Sequence, residues 1–395
     1  LCLVVLYLAA TFLIAWIIGY EAMQFKILLI LALNQALVAF ILYIRSNFAG
    51  LHLFVQDSIV SVLDRVLLII ICSILLWGGV SSKTFQIEWF VYAQSASYFF
   101  TLLICVCLIF KQTNNLTLKW NPAFSIVILK QSFPYAMLIL LMTIYYRIDS
   151  IMLERMLNDN SIQAGIYAQA YRFFEASNMI AYLFAALLLP IFSRMLKHHE
   201  PVSELVDCAF KMLMGFGIIL TVFCCFNSYE IINFRYENHI LDSSRIFTIL
   251  MICFLFVSST YIYGTLLTAN GNLVYLNIIA GFGVLLNVFL NLILIPKYYA
   301  FGSAVASLVT QCLTALAQLI LCFSIFKFSS YSMLFRLFVF FIGILFFGYI
   351  TTQINISEYV SLIIYIILSS SWLFATKLIK VSDFYLLIDN KYNLK

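Results

Sequence analysis

Apolar runs of helix length follow one another along almost the whole chain, broken only by short polar stretches. A run of about 18 or more such residues is long enough to cross the hydrocarbon core as a helix. Runs of this kind occupy 1–19, 27–44, 58–79, 86–110, 133–153, 164–191, 208–227, 246–269, 273–295, 301–326, 334–352 and 359–379, about twelve predicted spans. In lipid every backbone polar group must find its partner within the segment, so the pattern predicts an all-α integral membrane protein, a polytopic helical bundle without sheet. The longest connection is about 20 residues, which leaves no room for a folded extramembrane domain.

Two of these spans break the apolar rule. Arg147 and Asp149 lie near the end of 133–153, and Arg172 and Glu175 lie near the start of 164–191. An ionised group in hydrocarbon costs roughly 2.5–3.5 kcal/mol on insertion scales, so such residues face a bundle interior or a water-filled cavity. At 1.5 Å per residue, Arg147 lies roughly 9 Å from the helix end at Leu153 and Arg172 roughly 12 Å from Ala164, which puts both guanidinium groups at similar depth on consecutive antiparallel helices. Arg147 and Asp149 are two apart and point to different faces, whereas Arg172 and Glu175 are three apart and can pair. Three readings stay open for this hairpin. It forms a cationic patch over a phosphorylated substrate, since guanidinium forks suit phosphate. It locks two helices through the pairs Arg147–Glu175 and Asp149–Arg172. Or its long side chains snorkel to the interface.

Composition fixes the class. Of 395 residues, 64% are hydrophobic and 10% charged, against about 45–50% and about 25% in soluble domains. The net charge of +5 comes without a Lys/Arg cluster of the kind nucleic acid requires, so no nucleic-acid partner is expected. The ten cysteines sit mostly in apolar runs, for example Cys72, Cys105, Cys224 and Cys253, with no Cys-x-x-Cys pair. The histidines are His52, His198, His199 and His239. Neither set points to a disulfide framework, a metal or another cofactor. With residue 1 placed inside, the inner connections and tail carry thirteen Lys/Arg and the outer ones six, so both ends of the chain are expected to be cytoplasmic.

Residues 111–132 form the longest inner connection, with four predicted spans before it and eight after. A basic connection between helical bundles is a feature of two-lobed transporters. The expected organisation is a partial N-terminal lobe at 1–110, a C-terminal lobe of six spans at 133–326, and two further spans with a cytoplasmic tail at 327–395. The chain opens on Leu1 inside an apolar run, with no basic leader and no cleavage site, so it is not a signal peptide. The expectation is that N-terminal helices precede it.

Several other positions have candidate roles. Asp64 and Arg65 open the apolar part of the third span; with Asp57 they either line a cavity or mark an interfacial helix start. Asn34, Gln35, Gln94, Asn277, Asn287, Asn291, Gln311 and Gln318 are expected to hydrogen-bond neighbouring helices. Gly302, Ser303, Ala306, Ser307, Thr310 and Thr314 form a small-residue stripe for close packing. Pro134, Pro190 and Pro296 are expected near span ends, where they cost little. The sequons at Asn115 and Asn355 are weak matches.

Certain motifs add a family to this picture. Ser132-Phe-Pro134 opens a helix with Arg147-Ile-Asp149 near its end. Ala164-Gly-Ile-Tyr167 with Ala170-Tyr-Arg172 opens the next. Thr268-Ala-Asn-Gly271, Asn287, Asn291 and Ile295-Pro296 then lead to Gly302-Ser-Ala304. In this order and spacing they resemble the polysaccharide-export flippases, the O-antigen and capsule repeat-unit translocases of the MOP (multidrug/oligosaccharidyl-lipid/polysaccharide) superfamily. The resemblance covers roughly 130–310 and implies a two-lobed, MATE-like transporter of about fourteen spans, of which this chain would hold about twelve, two having been lost from the N-terminal side.

The resemblance also implies a function. The chain would move a polyprenyl-pyrophosphate-linked oligosaccharide across the bacterial inner membrane by alternating access. It would not be an enzyme. Its partners would be the lipid-linked substrate, membrane lipids, a coupling proton or sodium ion, and the polymerase and other glycan-assembly proteins. Arg147, Asp149, Arg172, Glu175, Asp64 and Arg65 would line a hydrophilic substrate cavity. A multidrug or cation antiporter of the same superfamily is the alternative; a membrane-embedded glycan enzyme lacks an acid/base constellation in the spans.

Overall fold

In a computed structural model of the chain, the described residues are 2–19, 22–50, 53–77, 86–112, 122–157, 162–327, 331–353 and 358–379. Among them the secondary structure is helical. Asn115, Asn355 and the basic tail residues Lys380, Lys391 and Lys395 lie outside the described residues. Contacts divide the chain into Leu1–Asn121 and Pro122–Lys395.

The first unit holds α1 (Cys2–Ile18), α2 (Ala22–Gly50), α3 (Phe54–Trp77) and α4 (Ile87–Gln112). Helix α4 packs against α2 and α3 around Ile41, Ile44, Phe48, Val60, Tyr98 and Cys105. Arg45 Nε donates to Asp57 Oδ1 at 2.7 Å, which ties the end of α2 to the start of α3.

The second unit holds α5 (Pro122–Met156), α6 (Ile162–Lys197), α7 (Ser203–Phe226), α8 (Ser228–Arg235), α9 (Ile240–Ala269), α10 (Leu273–Phe326), α11 (Tyr331–Gln353) and α12 (Glu358–Ala375). Helix α9 is its axis, packed by α6, α7, α8 and α10, while α5 lies on α10. Its buried face, with Phe247, Met251, Phe254, Val257, Ile262 and Leu266, forms the middle of the core. Helices α11 and α12 pack on each other and on α7, and Tyr365 Oη donates to Ile219 O at 2.8 Å.

The predicted spans all fall on helices, with three differences. Residues 122–132, expected in the connection, are the first turns of α5; Pro122 opens them, at the helix position where a missing N–H is harmless. Pro134 is consequently internal to α5, and Pro190 is internal to α6 because that helix runs on to Lys197. Pro134 still offers its carbonyl, which accepts from Asn277 Nδ2 at 3.0 Å.

The third difference is α10, where two predicted spans join without a loop. The reversal occurs at Tyr299 (φ 54°, ψ −137°), three residues after Pro296. The two halves then run side by side: a Cβ added at Gly283 would meet the Thr314 methyl at 2.9 Å. Gly302 sits against the Leu294 backbone, where a Cβ would lie 2.7 Å from the carbonyl carbon. Ala300 N–H, just past the reversal, donates to Gln163 Oε1 at 3.2 Å. Between α9 and α10, Gly271 takes φ 80° and closes the turn, with Asn272 N–H donating to Leu267 O at 2.9 Å.

Nine helices among the described residues are long and apolar enough to cross a membrane, and Leu3–Ile17 and Val360–Ala375 are shorter apolar helices. With α10 counting as two, these account for the twelve runs read from the sequence.

Candidate functional site

The charged hairpin of the sequence is α5 and α6, and its four charged residues part company. Asp149 is 2% exposed. Its Oδ2 accepts from Tyr167 Oη at 2.9 Å and from Ser307 Oγ, and its Oδ1 accepts from Asn291 Nδ2 at 2.7 Å. The same Asn291 nitrogen donates to Asn287 Oδ1 at 2.9 Å. A buried carboxylate needs donors from every side, and here α5, α6 and both halves of α10 supply or support them. The expected pair Asp149–Arg172 is not made, because these neutral donors occupy the carboxylate. A hollow of about 10 Å³ adjoins Asp149, Tyr167, Ser307 and Gln311, room for a single water at most. Asn291 Oδ1 and Ser303 Oγ are buried without a hydrogen-bond partner.

Arg147 and Glu175 face a different space. Arg147 Nη2 pairs with Glu175 Oε1 at 3.2 Å, and both side chains are more than half exposed. This is the other ion pair that the sequence allowed, and it takes Glu175 away from Arg172. The pair sits in a hollow of about 390 Å³ lined also by Thr143, Asn178 and a set of tyrosines. A second hollow of about 470 Å³ adjoins it through Tyr146, Tyr182 and Tyr261, and runs on past Thr265 and Thr268 to Leu276 and Ala280. Together they form a groove along α5, α6, α9 and the first half of α10. Its aromatic wall is held in place: Tyr171 Oη donates to Tyr146 O at 3.1 Å, and the Tyr182 and Tyr261 rings meet edge to face at 6.5 Å. Arg172 is exposed and is not among the residues lining this groove.

Asp64 and Arg65 belong to the first unit. They approach each other at 3.6 Å, with Arg65 71% exposed. The Asp64 carbonyl accepts from Ser97 Oγ on α4.

The intramembrane amides divide. Asn277 and Asn291 bond neighbouring helices as expected. Gln94 instead bonds Tyr98 of its own helix at 3.1 Å. Asn34 Nδ2 and Gln318 Oε1 are buried without a partner. Sequence reasoning missed Tyr167 and Ser307 as holders of Asp149. The available signal was the carboxylate itself, which demands several donors at its depth.

A family model described as "Polysaccharide biosynthesis protein" matches residues 1–196, about half of the chain. Residues 1–196 are thus similar to that family, and the chain is a multi-pass membrane protein. Among solved structures it is similar to "Lipid II flippase MurJ, inward closed conformation", with 18% identity and a TM-score of 0.72, covering 98% of this chain and 81% of that one. The fold is therefore that of the MurJ-like transporters. A comparison with curated proteins finds no match.

Proposed function

We propose that the protein is a flippase that carries a polyprenyl-pyrophosphate-linked oligosaccharide across the bacterial inner membrane by alternating access, for surface polysaccharide assembly. The observation that carries this reading is the groove of the second unit. It has a charged, hydroxyl-rich end at Arg147, Glu175, Thr143 and Asn178, a tyrosine-lined middle, and an apolar end at Leu276 and Ala280. A polar head joined to a prenyl tail has the same gradient. The match of residues 1–196 to the polysaccharide-biosynthesis family and the MurJ-like fold support the same direction.

In this reading the Arg147–Glu175 pair meets the sugars of the substrate's head group. Arg172 is a further polar contact for the substrate in the second unit, and Asp64 with Arg65 in the first, at other stages of the cycle. A coupling ion, a proton or sodium, acts at Asp149, a buried carboxylate whose partners Tyr167, Asn291 and Ser307 are all uncharged. The chain's two ends are cytoplasmic on the charge count of the connections.

The buried Asp149 also favours a second reading, a cation-coupled drug antiporter, because a carboxylate without a cationic partner is what such a site needs. The test is a deletion strain complemented with the wild-type gene. Flippase function requires lipid-linked oligosaccharide to accumulate in the cytoplasmic leaflet of the deletion strain and surface glycan to return on complementation. Surface glycan at the wild-type level in the deletion strain, with altered efflux of cationic dyes instead, would replace this reading with the antiporter.

A further inference from the structure

The groove is electroneutral in an unusual way for a protein expected to handle phosphate. Arg147 and Glu175 are the charged residues lining its two hollows, and they are paired at 3.2 Å. The rest of the polar wall is uncharged, and four tyrosines, Tyr146, Tyr171, Tyr182 and Tyr261, present ring faces and hydroxyls. Tyrosine gives large contact area at small entropic cost, with an apolar face for the C–H side of a sugar ring and a hydroxyl for its polar edge. Three of these rings, Tyr171, Tyr182 and Tyr261, are held by contacts already described, so the surface is preorganised.

An anionic sugar in this space would meet Glu175 as closely as it meets Arg147. Attraction to Arg147 and repulsion from Glu175 then offset each other, so the acidic sugar gives up the hydration of its carboxylate with no net charge to replace it. A neutral sugar meets no such term and loses only hydration that the tyrosine hydroxyls replace.

We infer that this groove is the glycan-binding part of the transport path, that it is selective for neutral sugars over uronic-acid sugars, and that Glu175 sets the selectivity by cancelling Arg147. Such selectivity presupposes the flippase reading, since the glycan must arrive on a lipid carrier. It differs from that reading in assigning a chemical class of sugar and a single residue that decides it.

The experiment uses the chain in proteoliposomes with two probes. Both are short-chain polyprenyl pyrophosphates; one carries a neutral hexose tetrasaccharide, the other the same tetrasaccharide with one glucuronic acid. Movement across the bilayer is read for each, and the acidic-to-neutral ratio is the measure. Wild type is expected to favour the neutral probe. Glu175→Gln leaves Arg147 uncancelled and should raise the ratio about tenfold, the equivalent of about 1.4 kcal/mol. Arg147→Gln leaves Glu175 uncancelled and should lower it. The double variant is neutral again and should return to the wild-type ratio. Because the ratio is internal to each protein sample, lowered expression does not move it. Should Glu175→Gln fail to fold, Arg147→Gln gives the opposite-signed result on its own. Equal ratios in wild type and variants, with both probes moved, would overturn the selectivity while leaving the flippase reading intact. No movement of either probe by wild type would overturn both.

Discussion

Asn291 Nδ2 donates to Asp149 Oδ1 at 2.7 Å, a bond that joins α10 to α5 across 142 residues of sequence. With Tyr167 and Ser307 it makes the carboxylate the meeting point of three helices. Asp149→Asn keeps the shape but turns one acceptor oxygen into an NH2 facing donors. Hydrogen bonds to a charged group contribute about 1.5–3 kcal/mol each, so the loss expected is of that order or more. Thermal unfolding in detergent checks it. Surface-glycan output in cells separates packing from coupling: output is lost outright if Asp149 carries the coupling ion, and falls only in proportion to the folded fraction if Asp149 merely packs.

Tyr167→Phe removes one donor and leaves the ring, which is buried and stacked on Tyr171 at 5.7 Å. The expected loss is about 1.5–3 kcal/mol, seen as a lower melting temperature. In a double-mutant cycle with Asp149→Asn the two losses should fail to add, because they share one bond. Simple additivity would show that the hydroxyl acts elsewhere.

Gly302→Ala drives a methyl into the Leu294 backbone, which has no side chain to swing aside. Overpacking of this kind costs about 1–3 kcal/mol or more. The variant should express poorly and melt well below wild type, while Gly281→Ala, which meets open space, should behave as wild type in the same assay.

Gln163→Ala frees the Ala300 N–H next to the strained Tyr299. A backbone donor left unsatisfied costs about 1–3 kcal/mol, so a drop in melting temperature is expected. Gln163→Glu, which keeps an acceptor oxygen in reach, should recover most of it.

Arg147→Ala with Arg172→Ala should stop glycan export while leaving membrane insertion and expression in place. Export at the wild-type rate would remove both from the substrate path. Loss of the folded protein would point to a purely structural pair.

The spans were legible because hydrocarbon imposes one period and one length, and each predicted run lies on a helix. The depth of the charged residues was legible too, from 1.5 Å per residue. Rotation about the helix was not. Matched depth suggested Asp149–Arg172, but Asp149 turns toward α10, and its partners Asn291 and Ser307 lie 142 and 158 residues away. Ser307 was hidden in a stripe that reads as packing, and most of that stripe does pack. The start of α5 was hidden because 122–132 adjoin the polar stretch 111–121 and end on Lys130-Gln-Ser132, although Phe124 and Ile126 to Leu129 are apolar; the helix continues through them past Pro134. The loopless reversal in α10 was missed for a similar reason, since a tyrosine at positive φ is rare.

That reversal has a consequence for how the protein enters the bilayer. From Leu273 to Phe326 the chain carries one charged residue, Lys297, close to the reversal at Tyr299. The first half brings Asn291 to Asp149 on α5, and the second half brings Ser307 to the same carboxylate. A nascent chain halted after the first half would leave that carboxylate short of a donor in hydrocarbon. The two halves are therefore a single unit of insertion, delivered as a closed hairpin against a partner already in place, and the polar cage around Asp149 is completed in the act of membrane entry.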